Sequence, residues 1–338
     1  TSNNNNSGQI NLDYLDNIDL KLTCKELPKC IKRIQSCKLV LGDTLHINSH
    51  VEFDDVVVKY NFSGKSVIVV KVDAGTEKKP VTMKNVRFRF DKDNVSTSRD
   101  PRESFLLDVE SHVTLATCKL RDSTEGCGAR VHGGGQLKAT GTEFNGNKLS
   151  GVEVSGAGSK AVLKEGCKLL DSTEGCGAFV DKGGHLDATG TTFSGNKLRG
   201  VRVTGASSKA VLKEGCTLSD SKESCGAIVD KGGHLDATGT TFSGNKIHGL
   251  QVGTGSTTVM TRCTLSDNIA HSAVVHSSGS LVATGTTFRG NKCKGVVVTG
   301  AGSKAVLKEG CTLLENEVNG AHVENGGQLK ATGTEFKG

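Results

Sequence analysis

The sequence predicts an all-β fold, a parallel solenoid with about 24–25 residues per coil, because its residues recur at a fixed period. Five phenylalanines follow one another at spacings of 49, 49, 46 and 48 residues, and five cysteines at 49, 49, 47 and 48. Each repeat also divides into two related halves, since 25 residues separate Phe193 from Leu218 and 24 separate Leu218 from Phe242. The phenylalanines are Phe144, Phe193, Phe242, Phe288 and Phe336, and the cysteines are Cys118, Cys167, Cys216, Cys263 and Cys311.

Short strands are predicted within each coil because apolar and polar residues alternate. One repeat places Asp187, Thr192 and Arg202 on the outer face. Glycines fall where the chain has to bend, so each coil is expected to hold three short strands and three bends. The inward positions of the same repeat are Leu186, Ala188, Thr191, Phe193, Val201 and Val203.

The first 37 residues are expected to lie outside the regular coils. Residues 1–23 begin with the polar string TSNNNNSG and are predicted to be a polar N-terminal segment or linker. Residues 24–37 are predicted to cap the open edge of the first coil, since an uncovered strand edge promotes aggregation. Within this cap, residues 24–36 are predicted to form a short amphipathic helix with Cys30, Ile31 and Ile34 on one side.

Residues 38–117 are predicted to form the first, less regular coils. One segment, 91–104, interrupts them with charged and polar residues and has no counterpart later in the chain. Binding and catalytic residues concentrate on such loops when a rigid scaffold holds them. The predicted strands of this region are Lys38–Leu41, Val51–Phe53, Val56–Tyr60, Val67–Val72 and Val81–Phe90.

Residues 118–338 are predicted to form about nine regular coils in which like residues stack in columns. The five repeating cysteines are expected to point inward and to pack as small apolar groups. A structural column of Asn147, Asn196, Asn245 and Asn291 is expected at one bend, where the side-chain amides satisfy backbone groups. The acidic residues Asp122, Asp171, Asp220, Asp267 and Glu315 are expected to take the same place in the intervening coils.

The repeated pattern of inward apolar residues, Gly-Cys/Thr-x-Phe/Leu, Asn at the bend and Gly-Val-x-Val resembles the right-handed parallel β-helix of the pectin-lyase-like superfamily. The resemblance covers residues 38–338. It implies a fold that hosts lyases, hydrolases, epimerases, phage tailspikes and non-catalytic adaptors, so it does not by itself choose an activity.

Composition narrows the choice of function. A formal net charge of +6 over 338 residues is mild, which disfavours nucleic acid as a partner, and no stretch reaches the length of a membrane span. Unpaired cysteine columns favour a reducing compartment, whereas possible glycosylation sites at Asn61 and Asn94 favour secretion, so the localisation stays open. No metal site is predicted.

The charged segment carries the candidate catalytic residues. Its Asp100–Glu103 string, Asp-Pro-Arg-Glu, resembles the Asp-Pro-His-Asp/Glu motif of mannuronan C5-epimerases, with Arg102 in place of the histidine. The resemblance implies an acidic polysaccharide as substrate and Ca²⁺ as the cofactor of a lyase or epimerase; without such an activity no cofactor is expected. The candidates are Asp91, Asp93, Arg99, Asp100, Arg102 and Glu103.

The uniformity of the repeats favours a non-catalytic structural or interaction protein, since an active site needs a unique set of residues and near-identical coils offer few unique positions. Such a rod is expected to dock in a larger assembly or to bind an extended polymer, and a protein partner is expected at the uncapped C-terminal coil. A column of Lys148, Lys197, Lys246 and Lys292 is the candidate binding surface for an acidic partner. The alternatives are a polysaccharide lyase or C5-epimerase, and a carbohydrate-binding module.

Overall fold

A computed structural model describes residues 19–22, 25–62, 65–90 and 104–337 of the chain. This part contains strands and no helix, and thus no helix that is long and apolar enough to cross a membrane. The strands are, in chain order, β1 (Asp19–Leu22), β2 (Arg33–Leu41), β3 (Leu45–Ile47), β4 (Glu52–Tyr60), β5 (Ile68–Val70), β6 (Val81–Lys84), β7 (Arg87–Phe90), β8 (Phe105–Val109), β9 (His112–Ala116), β10 (Lys119–Arg121), β11 (Cys127–Val131), β12 (Gln136–Thr140), β13 (Glu143–Asn145), β14 (Val152–Ser155), β15 (Lys160–Lys164), β16 (Lys168–Leu170), β17 (Ala178–Asp181), β18 (His185–Ala188), β19 (Thr192–Ser194), β20 (Val201–Thr204), β21 (Lys209–Leu212), β22 (Thr217–Ser219), β23 (Ala227–Asp230), β24 (His234–Thr238), β25 (Thr241–Ser243), β26 (Leu250–Val252), β27 (Thr257–Thr261), β28 (Thr264–Ser266), β29 (Ala273–His276), β30 (Ser280–Thr284), β31 (Thr287–Arg289), β32 (Lys294–Thr299), β33 (Lys304–Leu307), β34 (Thr312–Leu314), β35 (Asn319–Glu324), β36 (Gln328–Ala331) and β37 (Glu335–Lys337).

The strands build a parallel solenoid of about 12 turns, which confirms the predicted fold class. One sheet has twelve strands, in the order β3-β5-β8-β11-β14-β17-β20-β23-β26-β29-β32-β35, and we call it sheet 1. The other two faces belong to a 25-stranded sheet. In its regular coils each strand pairs with the strand three positions later in the chain, as β12 pairs with β15 and β13 with β16. The long strand β4 joins these two faces, because it pairs with both β6 and β7.

The core is one continuous column of small and branched side chains inside the coil. Each inward position predicted for the repeat from Leu186 to Val203 is fully buried, and Phe193 stacks on Leu218, which stacks on Phe242. The five repeating cysteines are buried and free, as are those of a second column, Cys127, Cys176 and Cys225. Burial raises the pKa of Cys118 to about 11, so this thiol packs as an apolar group.

The helix predicted for residues 24–36 is wrong. The chain is extended from Arg33 to Leu41, and this strand pairs in parallel with β1 and with β4. Ile34, Leu39 and Leu41 are buried in the solenoid core on one side of the strand. The alternation that buries them continues past residue 37, and it outweighs the helical spacing of the few apolar residues before it.

The prediction that the acidic residues take the place of the asparagines in the intervening coils is wrong by one residue. The register places Leu170 beside Ser194, so Asp171 stacks on Gly195 and Ser172 stacks on Asn196. Asp171 and Gly195 both have positive φ, which glycine and aspartate tolerate better than most residues. The asparagine column therefore lies one position after the acidic one, and it includes Asn268 and Asn316 in the later coils.

The asparagine column satisfies the backbone of its bend inside the coil. Asn196 is fully buried, its Nδ2 donates to the Leu169 carbonyl at 3.0 Å, and its Oδ1 accepts the Ser172 N–H at 3.1 Å. From Asn245 onward the side chains also bond to one another from coil to coil, at 2.9 Å. Each amide thus replaces water that cannot reach the bend.

Candidate functional site

Stacked cations distinguish the first coils from the rest of the solenoid. Arg87 and Arg89 point outward from β7, and the next coil places Lys119 beside Arg87 and, in the same register, Arg121 beside Arg89. In three consecutive later coils the two outward rows carry hydroxyl groups instead. These hydroxyl residues are Thr192 and Ser194, Thr217 and Ser219, and Thr241 and Ser243.

The four stacked cations oppose one another electrostatically. Neighbouring rungs of a sheet lie about 4.8 Å apart, and like charges directly opposite one another destabilise the pairing. Because Arg87 and Arg89 are exposed and therefore screened, each such contact costs up to about 1 kcal/mol. Glu143 of the following coil pairs with Arg121 and lies beside Lys119 in register, whereas Arg87 and Arg89 have no ion-pair partner among the described residues.

The stacked cations line a cavity of about 860 Å³ at the adjoining bend, which we call the basic pocket. Lys148 adds a fifth cation to its wall, whereas Asp122 and Glu174 are the two acidic residues among the described residues that line it. The pocket is therefore suited to an anionic ligand. Its described lining residues are Val57, Arg87, Phe88, Arg89, Phe90, Lys119, Arg121, Asp122, Ser123, Thr124, Gly146, Lys148, Thr173 and Glu174.

Only one of the four column lysines takes part in this pocket. Lys148 lines it, while Lys197, Lys246 and Lys292 occupy the equivalent bend in later coils, where each backbone N–H bonds to the preceding coil as that of Lys148 does. The predicted catalytic residues Asp91, Asp93, Arg99, Asp100, Arg102 and Glu103 lie outside the described residues. Their segment leaves β7 at Phe90, in the pocket wall, and leads into β8.

A second group of ionisable side chains lies on the outer face of sheet 1, and we call it the Asp-Glu-His cluster. Asp108 is in β8, Glu110 follows that strand, and His132 follows β11, the neighbouring strand. Nε2 of His132 lies 2.8 Å from Oδ1 of Asp108 and 3.8 Å from Oε1 of Glu110. One ligand atom from each residue lies within 4.8 Å of the other two, so the cluster has the dimensions of a proton-transfer or metal-binding site.

Further polar side chains hold the cluster in place. Lys71 Nζ lies 3.1 Å from Glu110 Oε1, and the Ser66 hydroxyl donates to Asp108 Oδ2 at 3.4 Å. Arg130, the register partner of Asp108, is directed to Glu153 on the following coil at 3.5 Å. Residues 125–131, which include β11, separate Thr124 in the pocket wall from His132 of this cluster.

Two other histidines that recur in the repeats are placed differently. His185 and His234 begin strands β18 and β24. Nε2 of each lies close to the aspartate two residues later, at 3.2 Å from Asp187 Oδ1 and 3.1 Å from Asp236 Oδ1. Each pair contains a single carboxylate, so neither reaches the ligand number of the Asp-Glu-His cluster.

Inspection of the sequence missed the Asp-Glu-His cluster because its members come from two coils and carry no local motif. The available signal was a departure from the repeat, since later coils have Asp181 or Thr204 where His132 stands. The basic pocket had a clearer signal in the strings Arg-Phe-Arg-Phe and Lys-Leu-Arg, whose alternation places four cations on one face.

Comparisons with known proteins agree on the fold. The family model described as "Right handed beta helix region" matches residues 158–318. No match was found among the curated proteins. The chain is similar to the solved structure of the periplasmic alginate epimerase AlgG, with 11% identity, a TM-score of 0.59, and coverage of 89% of this chain and 77% of that one.

Two further solved structures are the A-modules of mannuronan C-5 epimerases from Azotobacter vinelandii. That of AlgE6 shows 12% identity and a TM-score of 0.53, with coverage of 95% of this chain and 88% of that one. That of AlgE4 shows 11% identity and a TM-score of 0.52, with coverage of 89% and 86%. At these identities the similarity establishes the right-handed parallel β-helix fold and no activity.

Proposed function

We propose that this protein binds an extended acidic polysaccharide in the basic pocket and removes the C5 proton of a uronate residue, as a lyase or a C5-epimerase. The observation that supports binding is the stacking of Arg87 on Lys119 and of Arg89 on Arg121, with Lys148 at the adjoining bend. Such a column is unfavourable without an anion and becomes favourable when carboxylates lie between its members.

A polyuronate suits this column because it carries one carboxylate on every sugar residue. A cation next to the carboxylate also makes the adjacent C5–H bond more acidic, since it stabilises the negative charge that develops when the proton leaves. Binding and activation of the substrate thus need the same kind of residue. Three of the similar solved structures are epimerases of alginate or mannuronan by name, which supports this substrate class.

The proton transfer is assigned to the segment that follows the pocket wall. Asp91, Asp93, Asp100 and Glu103 supply carboxylates that can act as acid or base, and Arg99 and Arg102 supply further positive charge. Ca²⁺ is the proposed cofactor, because a divalent cation neutralises the uronate carboxylate during the reaction. This proposal supersedes the non-catalytic rod as the favoured function.

Binding is tested with alginate and pectate of defined length, by calorimetry at two salt concentrations. Lys148→Glu is compared with Lys246→Glu, because both residues occupy the same place in the repeat and only Lys148 lines the pocket. We expect Lys148→Glu to weaken binding about tenfold or more, with a reduced salt dependence, and Lys246→Glu to leave it unchanged. Equal effects of the two variants would show that the pocket is not the binding site.

Activity is tested on the same polymers, with and without Ca²⁺. Lyase activity appears as unsaturated chain ends in the ultraviolet spectrum, and epimerase activity appears as a changed uronate composition by NMR. We expect product formation that Asp100→Asn abolishes while polymer binding is retained. Binding without any product would leave the basic pocket standing as a binding site and would refute the assignment of catalysis.

A second candidate function, a non-catalytic interaction element, is favoured by the uniformity of the later coils. From β19 to β28 the outward residues of one face are threonine and serine in each successive coil. A repeating surface of this kind suits a spacer or a docking surface. Retention of a biological role by the Asp100→Asn variant would favour this candidate.

A further inference from the structure

We propose that Asp108, Glu110 and His132 bind one divalent transition-metal ion on the outer face of sheet 1. The proposal does not depend on the proposed function, because it rests on the geometry of the Asp-Glu-His cluster alone. Neighbouring coils bring the three side chains together: Asp108 lies in β8, and Glu110 and His132 follow two paired strands at the same bend.

Two atoms of the cluster are buried without a hydrogen bond. Asp108 is 9% exposed, and neither its Oδ1 nor Nε2 of His132 is accessible to solvent or has a hydrogen-bond partner in the described part of the chain. The two atoms lie 2.8 Å apart, but the N–H direction of the ring does not give a hydrogen bond between them. Unpaired buried polar atoms are costly, so a partner is needed at this point.

A metal ion between the two atoms meets this need. Tetrahedral ligand bonds of about 2.1 Å place two ligand atoms about 3.4 Å apart. Nε2 of His132 lies 2.8 Å from Asp108 Oδ1 and 3.8 Å from Glu110 Oε1, so the two distances lie on either side of that value. The three ligand atoms therefore surround one position.

The remaining oxygens of the cluster are already oriented. Ser66 bonds to Asp108 Oδ2, which leaves Oδ1 for the ion, and Lys71 holds Glu110 from the side. Outer partners of this kind fix metal ligands in place in known sites. Lys71 also limits the net charge of the occupied site.

The ligand set selects the class of metal. One imidazole nitrogen with two carboxylate oxygens and no thiolate suits Zn²⁺ or a related transition-metal ion better than an all-oxygen ion such as Ca²⁺. Three protein ligands leave an open position for water or a substrate oxygen.

The solenoid contains its own comparison for this site. Nε2 of His185 lies 3.2 Å from Oδ1 of Asp187 and makes a hydrogen bond to it, and the pair has no second carboxylate. His132 approaches Asp108 more closely without such a bond. The difference separates an ordinary surface pair from the proposed ligand set, so His185→Ala is the matched control for His132→Ala.

The test titrates Zn²⁺ and Co²⁺, each alone, into the full chain after chelation and removal of any affinity tag. Cys30 and Cys293, the two described cysteines that are not buried, are first replaced by serine to prevent thiolate binding. We expect one ion per chain, a raised melting temperature, and a Co²⁺ spectrum without thiolate ligation. Asp108→Asn, Glu110→Gln and His132→Ala should each weaken binding about tenfold or more, and His185→Ala should not.

Glu110→Gln keeps the test valid if the other variants fail to fold, because Glu110 is less buried than Asp108. Binding that His185→Ala weakens as much as His132→Ala would overturn the proposal, as would an absence of Zn²⁺ binding by the folded protein or a preference for Ca²⁺ over Zn²⁺. Loss of polysaccharide binding in Lys148→Glu leaves metal binding intact, so the two proposals fail separately.

Discussion

Replacement of Asn245 by alanine tests whether the asparagine column stabilises the solenoid. Asn245 Oδ1 accepts the Ser221 N–H at 3.2 Å, and its Nδ2 donates to the Leu218 carbonyl at 3.2 Å and to Asn268 Oδ1 at 2.9 Å. Alanine leaves the buried Ser221 N–H without an acceptor, which costs about 1–3 kcal/mol, and removes two further bonds worth about 1 kcal/mol each. We therefore expect the free energy of unfolding to fall by about 3–5 kcal/mol.

The assay is urea denaturation followed by circular dichroism, with hydrogen exchange to locate the change. In a solenoid each coil contacts only its neighbours, so the loss of protection should be greatest in the coils around Asn245. Asn319→Ala is the control, since this side chain is exposed in strand β35 and its backbone has no positive φ, and it should change stability by less than about 0.5 kcal/mol. A loss below about 1 kcal/mol in Asn245→Ala would refute the reasoning.

Three further predictions concern the core, pH and thiol reactivity. Phe242→Ala should cost about 3–5 kcal/mol in urea denaturation but Phe242→Leu less than about 1.5, because leucine fills the same column in the adjacent coils. Burial, and then the charges of His271 and His276, lower the pKa of His248 to about 4, so between pH 6.5 and 4 the unfolded chain binds more protons. Stability should fall by roughly 3 kcal/mol as the pH drops through this window, and His248→Gln should remove that part of the pH dependence. Among the described cysteines, iodoacetamide should label Cys30 and Cys293 in the native protein and the buried ones only after unfolding, as read by peptide mass spectrometry.

The sequence was sufficient to predict the fold because the same local signal recurs in every repeat. The inward positions from Leu186 to Val203 follow from alternation, and the period fixes which residues stack from coil to coil. A single short strand is difficult to assign from its sequence, but the same pattern at the same position of many repeats makes the assignment secure. The early strands, which lack a close repeat, were predicted with other bounds. The strands predicted at Val51–Phe53 and Val56–Tyr60 form one strand, β4, and the strand predicted at Val81–Phe90 divides into β6 and β7.

The errors arose where one local signal had two solutions. Residues 24–36 contain too few apolar residues to separate a helix from a strand, and the strand that follows decided the outcome through its pairing with β4. Asp171 and Asn196 differ by one position because of the bend conformation. Each bend has a residue with positive φ, Asp171 or Gly195, and the asparagine column begins at the position after it. The Asp-Glu-His cluster depends on how coils stack, and no spacing along the chain encodes it.

Two kinds of unfavourable contact lie in the first coils of the solenoid. Stacked cations at Arg87 and Lys119 cost up to about 1 kcal/mol, and Asp108 has a buried oxygen that makes no hydrogen bond, although it lies 2.8 Å from His132 Nε2. Uncharged residues can fill the same outward rows without like-charge contacts, as threonine and serine do in β19 and β22. Residues that break a local rule without a structural gain are expected at functional sites, where a ligand compensates for them. This supports the proposal that the functional site lies in the coils on either side of segment 91–104 and that the coils from β19 onward serve as its scaffold.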